Sequence, residues 1–269
     1  VEESNGKQPS LLFVAHRKEI LVQAVRTYRA VLGDGSFGEL FVGGDRPRHW
    51  NHVFASVQSL DRDSQSPTQW DVLVIDEFHH AEASSYKRLL ERFDAAEVLG
   101  LTATPERADG VDVRGLFDGR TAYELRLWDA LEQDLLCPFH YYGISDNTDL
   151  RDVEWAAGQY NAGALSAIYT GNDARTFLIL KALREKVLDP TQMRALGFCV
   201  SIEHAKYMAK AFSARGLPSA AIVGTTNPEQ RRAFVEQLKS GDLSCIFTVD
   251  VFNEGVDIPS VDVVLMLRP

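Results

Sequence analysis

The segment DVLVIDEFHHAE, residues 71–82, places two carboxylates directly after an apolar run. Asp76 and Glu77 end the run, and His79 and His80 follow closely. Ligands of open parallel sheets bind beyond the carboxyl ends of the strands, so both acids are expected to face such a crevice. Mg²⁺ suits this position, because it is bound by one or two carboxylates together with substrate phosphates. Glu77 would then position or deprotonate the water that attacks a γ-phosphoryl group.

The same two acids are also compatible with a purely structural role. Acidic residues are stabilising at the N-terminus of a helix, where the helix dipole is positive. The pair alone does not separate these two interpretations. The elements around it must therefore be considered.

Short apolar runs alternate with amphipathic stretches along the chain, which is typical of parallel α/β sheets. Near-continuous apolar runs indicate strands that are covered on both faces. Residues 18–32 have helical apolar spacing and stop at Gly33. The strands predicted in the first half are 10–15, 39–44, 52–57, 71–76 and 96–103.

The second half repeats this alternation. Helices are predicted at 174–187, 202–215 and from Pro228, where Asn227 is the N-cap and Gln230 is placed to complete a capping box. Strands are predicted at 194–200, 219–224, 243–249 and 261–267. Between the halves, an Asp-, Asn- and Gly-rich stretch loses the rhythm. We therefore expect a first lobe at 1–140, a linker at 141–173 and a second lobe at 174–269.

Composition is ordinary for a globular protein, with 45% hydrophobic and 25% charged residues. The net charge of −10 argues against broad electrostatic capture of nucleic acid but leaves room for a local groove. The three cysteines have no CxxC spacing, which predicts buried reduced thiols rather than a zinc site or disulfides. No apolar run approaches the ~20 residues of a membrane span, and no signal peptide is visible, so a cytoplasmic location is expected. The first residue is not Met, which suggests a piece of a larger protein.

Six segments, taken in order, resemble the conserved motifs of superfamily 2 helicases and translocases. DEFH (76–79) resembles motif II in its DExH form, and LTATPER (101–107) resembles motif III. The other matches are to motifs Ia, Ib, IV and V, at FVAHRKEIL (13–21), FASVQSL (54–60), FCVSIEHA (198–205) and FTVDVFNEGVDIPSVDVVL (247–265). The nearest resemblance is to the bacterial group that contains type III restriction motor subunits and helicases with an XPB-like core. It implies two RecA-like lobes of the P-loop NTPase type.

The resemblance also implies roles for individual residues. Asp76 would hold Mg²⁺ through water, Glu77 would be the catalytic base, and His79 would relay the nucleotide state. Thr102 and Thr104 would couple the lobes, and Gly255 and Asp257 would contact ATP from the second lobe. The residues implied to contact the nucleic-acid backbone are Arg17, Gly43, Gly44, Ser56, Ser201 and Thr248.

Structural alternatives remain for several of these positions. Thr102 and Thr104 are also suited to cap a turn before Pro105, and Arg17 is also suited to a solvated helix start. Ser201 is a natural N-cap for the helix at 202–215, a role that is compatible with a phosphate contact. His49 and His52 suggest a metal site, but two histidines without further ligands are more often surface groups.

Two motifs of this family are absent from the 269 residues. There is no GxxxxGK[ST] loop to bind the phosphates of ATP, and no arginine-bearing QxxGRxxR segment. The absences lie at the two ends of the expected motif order, whereas Asp76 and Glu77 are present. We therefore expect the core of an ATP-driven motor whose 269 residues alone do not hydrolyse ATP appreciably.

A non-enzymatic alternative is a clamp or scaffold that binds nucleic acid without turnover. A P-loop ATPase of another class fits less well, because it leaves the resemblance to motifs Ia, Ib, IV and V unexplained. Nucleic acid is the expected partner. DNA is favoured over RNA by family analogy alone, and attached nuclease or specificity subunits are a further expectation of the same kind.

Overall fold

The computed structural model describes residues 8–78, 84–103, 114, 117, 119–156, 158–249 and 258–269. The chain divides into two compact units, Val1–Pro138 and Phe139–Pro269. Each unit contains one parallel sheet with helices packed on it. The prediction of two α/β lobes is therefore confirmed.

The first unit is built on one five-stranded sheet. Its strands are β1 (Leu11–Ala15), β2 (Glu39–Phe41), β3 (His52–Ser56), β4 (Gln69–Ile75) and β5 (Asp94–Gly100), and its helices are α1 (Lys18–Leu32), α2 (Val57–Arg62), α3 (Ser84–Arg92) and α4 (Leu127–Glu132). The strand order is β2-β3-β1-β4-β5, and every pair is parallel. Strand β1 lies at the centre and is buried along its whole length. The carboxyl ends of the strands therefore meet along one edge of the sheet.

Helix α1 has the bounds that the apolar spacing predicts. Ile20, Leu21 and Val25 form its buried face, because residues three or four positions apart, such as Leu21 and Val25, lie on one side of a helix. Gly33 ends it in the left-handed conformation with φ 66°, where a residue without a Cβ is strongly favoured. Local sequence was therefore sufficient to place this helix.

The second unit contains a four-stranded parallel sheet and an antiparallel pair of short strands. Its strands are β6 (Trp155–Ala156), β7 (Gln159–Tyr160), β8 (Ala195–Phe198), β9 (Ser219–Ile222), β10 (Cys245–Thr248) and β11 (Val263–Met266), and its helices are α5 (Ala162–Tyr169), α6 (Asp173–Lys186), α7 (Ile202–Ser213) and α8 (Pro228–Ser240). The order of the sheet is β11-β8-β10-β9. Asn227 caps α8 by accepting from the Glu229 amide (2.8 Å). None of the helices in the described ranges has the length and apolar character that crossing a membrane requires.

The segment expected as a linker, residues 141–173, includes the β6–β7 pair and α5. Leu165 and Tyr169 of α5 are buried together with Val153, and Val200 packs against them. Asn161 caps α5 by accepting from the Ala164 amide (3.0 Å). These elements therefore belong to the packed structure of the second unit. The predicted boundaries at residues 140 and 173 stay a prediction.

The sheet-edge strands β5 and β11 are more exposed than their apolar sequences predict. Val98 and Leu99 of β5 are about two-fifths exposed, and Val264 and Met266 of β11 are more than half exposed. The expectation that both faces of every strand are covered is wrong for these two. The reason is that the described helices pack mainly on the other strands.

The cysteines differ in their environments. Cys199 and Cys245 are buried, as predicted, but Cys137 is exposed. The prediction of three buried thiols is wrong for Cys137, because it lies in an exposed stretch after α4. Burial raises the pKa of the Cys199 thiol to about 12, which keeps it protonated and unreactive at neutral pH.

Candidate functional site

The two carboxylates of the DEFH segment lie at the carboxyl edge of the first sheet. The Asp76 amide donates to the Val14 carbonyl after β4 ends, and the Phe78 amide donates to the Leu101 carbonyl, both at 2.9 Å. The Glu77 amide donates to Oδ1 of Asp76 at 2.9 Å. The backbone that carries both acids is therefore tied to β1 on one side and to the end of β5 on the other.

Glu77 has an unusual backbone conformation. Its φ is +51°, in the left-handed region that side chains other than glycine rarely occupy. Such a conformation costs roughly 1–3 kcal/mol and recurs at functional sites. The chain turns sharply at Glu77 as it leaves a buried strand, which points to a role for its side chain at this edge.

The turn after β4 is packed against the end of β5. Gly100 approaches two aromatic rings so closely that an added Cβ would lie 2.6 Å from Phe117 and 3.0 Å from Phe78. Those rings are 4.6 Å apart, and Phe78 is fully buried. Thr102 follows directly after this contact, next to the DEFH turn. His79 and Thr104, the other predicted residues of this edge, lie outside the described residues.

The acids at the end of β4 have the donor chemistry that Mg²⁺ requires, because the ion prefers carboxylate and phosphate oxygens. Asp76 and Glu77 are both half-buried rather than enclosed. Water or the oxygens of a nucleotide can therefore reach the two carboxylates at this edge. The residues fit a magnesium site that relies on the phosphates of a nucleotide.

A cavity of about 540 Å³ lies at the same edge of the sheet, beyond β1, β2 and β3. Three of the residues predicted to contact nucleic acid line it, namely Gly43, Gly44 and Ser56. The two glycines have positive φ values of 64° and 97°, which bring the backbone to the cavity without a Cβ in the way. Arg17 precedes α1 and is adjacent to His16, which also lines the cavity.

Ser59 presents a hydroxyl to this cavity that the sequence interpretation missed. The Ser56 hydroxyl accepts from the Ser59 amide (3.2 Å) and donates to the Ser59 hydroxyl (2.9 Å). Ser56 is therefore the N-cap of α2, with its proton already directed to Ser59. Ser59 lines the cavity, so this pair of hydroxyls reaches its surface.

The charges around the cavity favour an anion. Among the described residues, Arg46 and Arg62 line it together with a single acid, Asp63. The lining is therefore positive although the chain carries a net charge of −10. A local groove of this kind is compatible with the sequence, but neither arginine belongs to a recognised motif, so the sequence did not indicate them.

The two predicted backbone-binding residues of the second unit differ in exposure, since Ser201 is half-buried and Thr248 is fully buried. Ser201 caps α7 by accepting from the His204 amide (3.0 Å), and its hydroxyl lies 2.7 Å from that of Ser166 on α5. Thr248 ends β10 fully buried, and its hydroxyl has no hydrogen-bond partner among the described residues. Gly255 and Asp257, predicted to contact ATP, lie outside the part of the chain that the structure describes. The roles of these four residues stay predictions.

A buried polar cluster lies next to Ser201. The His204 ring stacks at a tilt on Tyr169 (5.6 Å between centroids), and Tyr169 in turn lies 4.1 Å from the Arg175 guanidinium carbon. Burial, together with the positive charge of Arg175, lowers the pKa of His204 to about 4. Burial pushes the pKa of Asp146 upward, but hydrogen bonds from Thr148 and the charge of Arg175 outweigh it and hold the pKa below its usual value. His204 is therefore neutral at physiological pH, and Asp146 is ionised.

Two family models match this chain in sequence. The model described as type III restriction enzyme, res subunit, matches residues 2–107, and the model described as helicase conserved C-terminal domain matches residues 179–269. Residues 2–107 and 179–269 are thus domains of a superfamily 2 helicase core. The resemblance read from the motifs is therefore confirmed.

Helicases, a translocase and a restriction-enzyme subunit are similar in sequence to this helicase core. A Saccharomyces cerevisiae protein named as an ATP-dependent helicase, IRC3, is 26% identical over all of this chain and 40% of its own length. The DNA 3'-5' translocase XPB2 of Sulfurisphaera tokodaii is 22% identical over 84% of this chain and 58% of its own. A type I restriction enzyme EcoAI endonuclease subunit of Escherichia coli is 27% identical over 54% of this chain and 20% of its own. The helicase core thus spans less than half the length of its IRC3 relative.

Solved structures agree with the fold. S. cerevisiae Dbp5 bound to RNA and ADP BeF3 matches with a TM-score of 0.59 at 15% sequence identity, over 96% of this chain and 62% of that chain. At this identity the likeness concerns the fold alone. It supports the predicted RecA-like architecture of the two units in this helicase core.

Proposed function

We propose that this helicase core is the motor of a protein that couples ATP hydrolysis to movement along DNA. The observation that carries the proposal is the DEFH turn at the carboxyl edge of the first sheet. There Asp76 and Glu77 are tied to both neighbouring strands, and Glu77 has a φ of +51°. The names of the helicase and translocase relatives support the same reaction.

Each predicted residue then has a defined task. Asp76 would hold Mg²⁺ through water, and the ion, when bound, would supply charge neutralisation at the phosphates. Glu77 orients and deprotonates the attacking water. His79, Thr102 and Thr104 communicate the nucleotide state. Gly255 and Asp257 contact ATP from the second unit.

The 540 Å³ cavity is the part of the core that we assign to nucleic acid. Glycine amides, the Ser59 hydroxyl and two arginines supply the short donors and cations that phosphates require. Arg17, Ser201 and Thr248 are further proposed contacts. DNA is preferred to RNA because one relative is named a DNA translocase and another a restriction subunit. The restriction relative also supports nuclease or specificity partners.

The location of the protein is proposed to be the cytoplasm. A Schizosaccharomyces pombe relative, 28% identical over 93% of this chain, is named mitochondrial. Cell fractionation with an antibody against the native protein separates the two compartments.

The test of the motor is DNA-stimulated ATP hydrolysis by the complete gene product that carries this sequence. Glu77→Gln is expected to reduce the turnover rate by about 10²–10⁴, the contribution of a general base. Glu97→Gln is the matched control, because Glu97 lies exposed within β5, away from the carboxyl edge. Equal activity of the Glu77→Gln and Glu97→Gln proteins would refute the assigned base.

Residues 1–269 alone test a second part of the proposal. They contain neither GxxxxGK[ST] nor QxxGRxxR, and we propose that they do not hydrolyse ATP appreciably without these groups. Steady DNA-stimulated hydrolysis by these residues, abolished in Glu77→Gln, would contradict this. If the complete gene product binds DNA with the same affinity with and without ATP, and shows no turnover, the non-catalytic clamp replaces the motor.

A further inference from the structure

Arg46 occupies a defined place at the rim of the 540 Å³ cavity. Its guanidinium carbon lies 5.6 Å from the Phe41 ring centroid and 5.7 Å from that of Trp50. The two rings are themselves in edge-to-face contact at 5.5 Å. Half of the Arg46 side chain remains exposed. The aromatic pair therefore supports the arginine from one side and leaves donor groups directed to the cavity.

Asp63 is the acid that holds Arg46 in this place. Its Oδ1 lies 3.2 Å from Nη1 of Arg46 and also accepts from the Gln65 amide at 3.3 Å. The side chain is only 9% exposed, and Oδ2 is buried with no hydrogen-bond partner among the described residues. A buried carboxylate is costly unless a cation compensates it. Asp63 therefore depends on Arg46, and Arg46 is restrained by it.

The backbone that carries Asp63 is fixed by Arg92, the last residue of α3. One guanidinium nitrogen of Arg92 donates to the Leu60 carbonyl at 2.6 Å. The other donates to the Asp63 carbonyl and to the Ser66 hydroxyl, the latter at 2.6 Å. A planar guanidinium with three acceptors holds its partners in a fixed geometry. The position of the Asp63 carboxylate is thus set by a packed helix rather than by a free loop.

We propose that Arg46 binds a backbone phosphate of nucleic acid in the cavity, and that Asp63, anchored by Arg92, positions it for this contact. The inference rests on the proposed assignment of the cavity to nucleic acid. It adds two residues that no motif of the sequence indicates. A guanidinium has five N–H donors, so one can bind Asp63 while a fork of others faces a phosphate.

The first test is a fluorescence-anisotropy titration of the complete gene product with a fluorescein-labelled 20-nucleotide single-stranded DNA across a range of salt. Arg46→Gln is expected to weaken binding roughly tenfold, the scale of one charge-assisted hydrogen bond. The slope of log affinity against log salt should fall by about 0.7, the value for one phosphate contact on a single strand. Arg48→Gln is the matched control, since Arg48 is exposed on the same loop and does not line the cavity. Equal effects of the two substitutions would overturn the proposal.

The second test measures whether Asp63→Asn strengthens or weakens DNA binding. Plain electrostatics predicts that Asp63→Asn strengthens DNA binding, because it removes a negative charge beside a phosphate. Positioning of Arg46 predicts the opposite, a weakening of roughly threefold or more. It also predicts that Asp63→Asn no longer weakens binding when Arg46 is already Gln, which a double-mutant cycle measures. Stronger or unchanged binding of the single variant would overturn the positioning role.

A folding defect at Asp63 does not prevent the test. If Asp63→Asn melts below the assay temperature, Arg46→Lys takes its place, because a lysine keeps the charge but has no fork to bind Asp63 and a phosphate together. Weaker binding by Arg46→Lys is expected, and wild-type affinity would overturn the positioning role. Arg17→Gln distinguishes a failure of the proposed cavity function from a failure of the role proposed for Arg46. If neither Arg17→Gln nor Arg46→Gln weakens binding, the proposed cavity function fails; if only Arg17→Gln does, this inference alone fails.

Discussion

The carboxyl edges of the two sheets begin from the same design but end in different surroundings. In each unit a strand leads to a serine that caps the following helix, Ser56 before α2 and Ser201 before α7. Each cap serine also bonds a second serine, Ser59 at 2.9 Å and Ser166 at 2.7 Å. Ser59 lines an open, positively charged cavity. Ser166 instead belongs to α5, so the second pair of hydroxyls joins α5 to the start of α7, where Ser201 is half-buried.

This difference shows that the hydroxyl of a cap serine after a parallel strand can bond either to a residue that lines a cavity or to a neighbouring helix. At the first edge, glycines with positive φ and two arginines leave space and charge for an anion. At the second edge, the described residues fill the space with Tyr169 and His204 and pair Arg175 internally with Asp146. The first edge thus offers space and positive charge to an anion. The described part of the second edge is stabilised by its own polar cluster.

The largest expected effect is on the stability of the second edge. Arg175 is 12% exposed, pairs with Asp146 at 2.8 Å and donates to the Leu267 carbonyl at 3.3 Å. Arg175→Leu is expected to lower the free energy of unfolding of the second unit by about 3 kcal/mol, because it leaves a partly buried carboxylate without its cation. Urea denaturation measures this.

The matched control for Arg175 is Arg151→Leu. Arg151 pairs with Asp149, and its side chain is 88% exposed, so the pair contributes little to stability. Similar losses from the two substitutions would show that the cluster at the second edge is not a buried unit, and the comparison of the edges would fail.

A somewhat smaller effect is expected from pH. His204 is fully buried with a pKa of about 4, whereas histidine in an unfolded chain has a pKa of about 6.5. The unfolded state therefore binds a proton between these values and the folded state does not, so stability is complete above pH 6.5 and falls as the pH drops toward 4. The expected loss of stability from His204 is roughly 2–3 kcal/mol at pH 4.5 relative to neutral pH.

The measurement is urea unfolding at pH 7.5 and 4.5 for the native chain and for His204→Gln. The variant is expected to lose less stability on acidification than the native chain. His140→Gln is the control, because His140 is an exposed histidine of the same unit, and it should not alter the pH dependence. An unchanged acid loss in His204→Gln would show that this ring does not remain neutral in the folded second edge.

The sequence was sufficient where the signal is local. Gly33 and the Asn227-Pro228 pair fix the ends of α1 and α8 from a few neighbouring residues, and a strand that ends in DEFH placed Asp76 and Glu77 correctly at the carboxyl edge. It was insufficient where distant residues meet. Arg46 and Asp63 lie on loops without any motif and form a pair only because the fold brings them together.

Helix α5 was missed for a related reason. It lies within a stretch rich in Asp, Asn and Gly, and it is stabilised by packing of Leu165 and Tyr169 with Val200 from another element. Tertiary packing of this kind overrides a composition that favours loops. The contact between Ser166 and Ser201 depends on α5, so motif comparison could not indicate it either.

The smallest expected effects come from the two serines that bond the caps. Ser59→Ala removes the hydroxyl through which the first edge reaches an anion, and DNA affinity should fall roughly threefold, within the range of one neutral hydrogen bond.

Ser166→Ala removes the hydroxyl that joins α5 to the start of α7, and the free energy of unfolding of the second unit should fall by about 1 kcal/mol. The DNA affinity of Ser166→Ala should not fall. Removal of the Ser166 hydroxyl takes away a hydrogen-bond partner that competes with a phosphate for the Ser201 hydroxyl. Anisotropy and urea titrations of the two alanine variants side by side make the comparison. A fall in DNA affinity in both variants would mean that Ser166 itself contacts nucleic acid and that α5 is part of a binding surface. The proposed difference between the two edges would then be wrong.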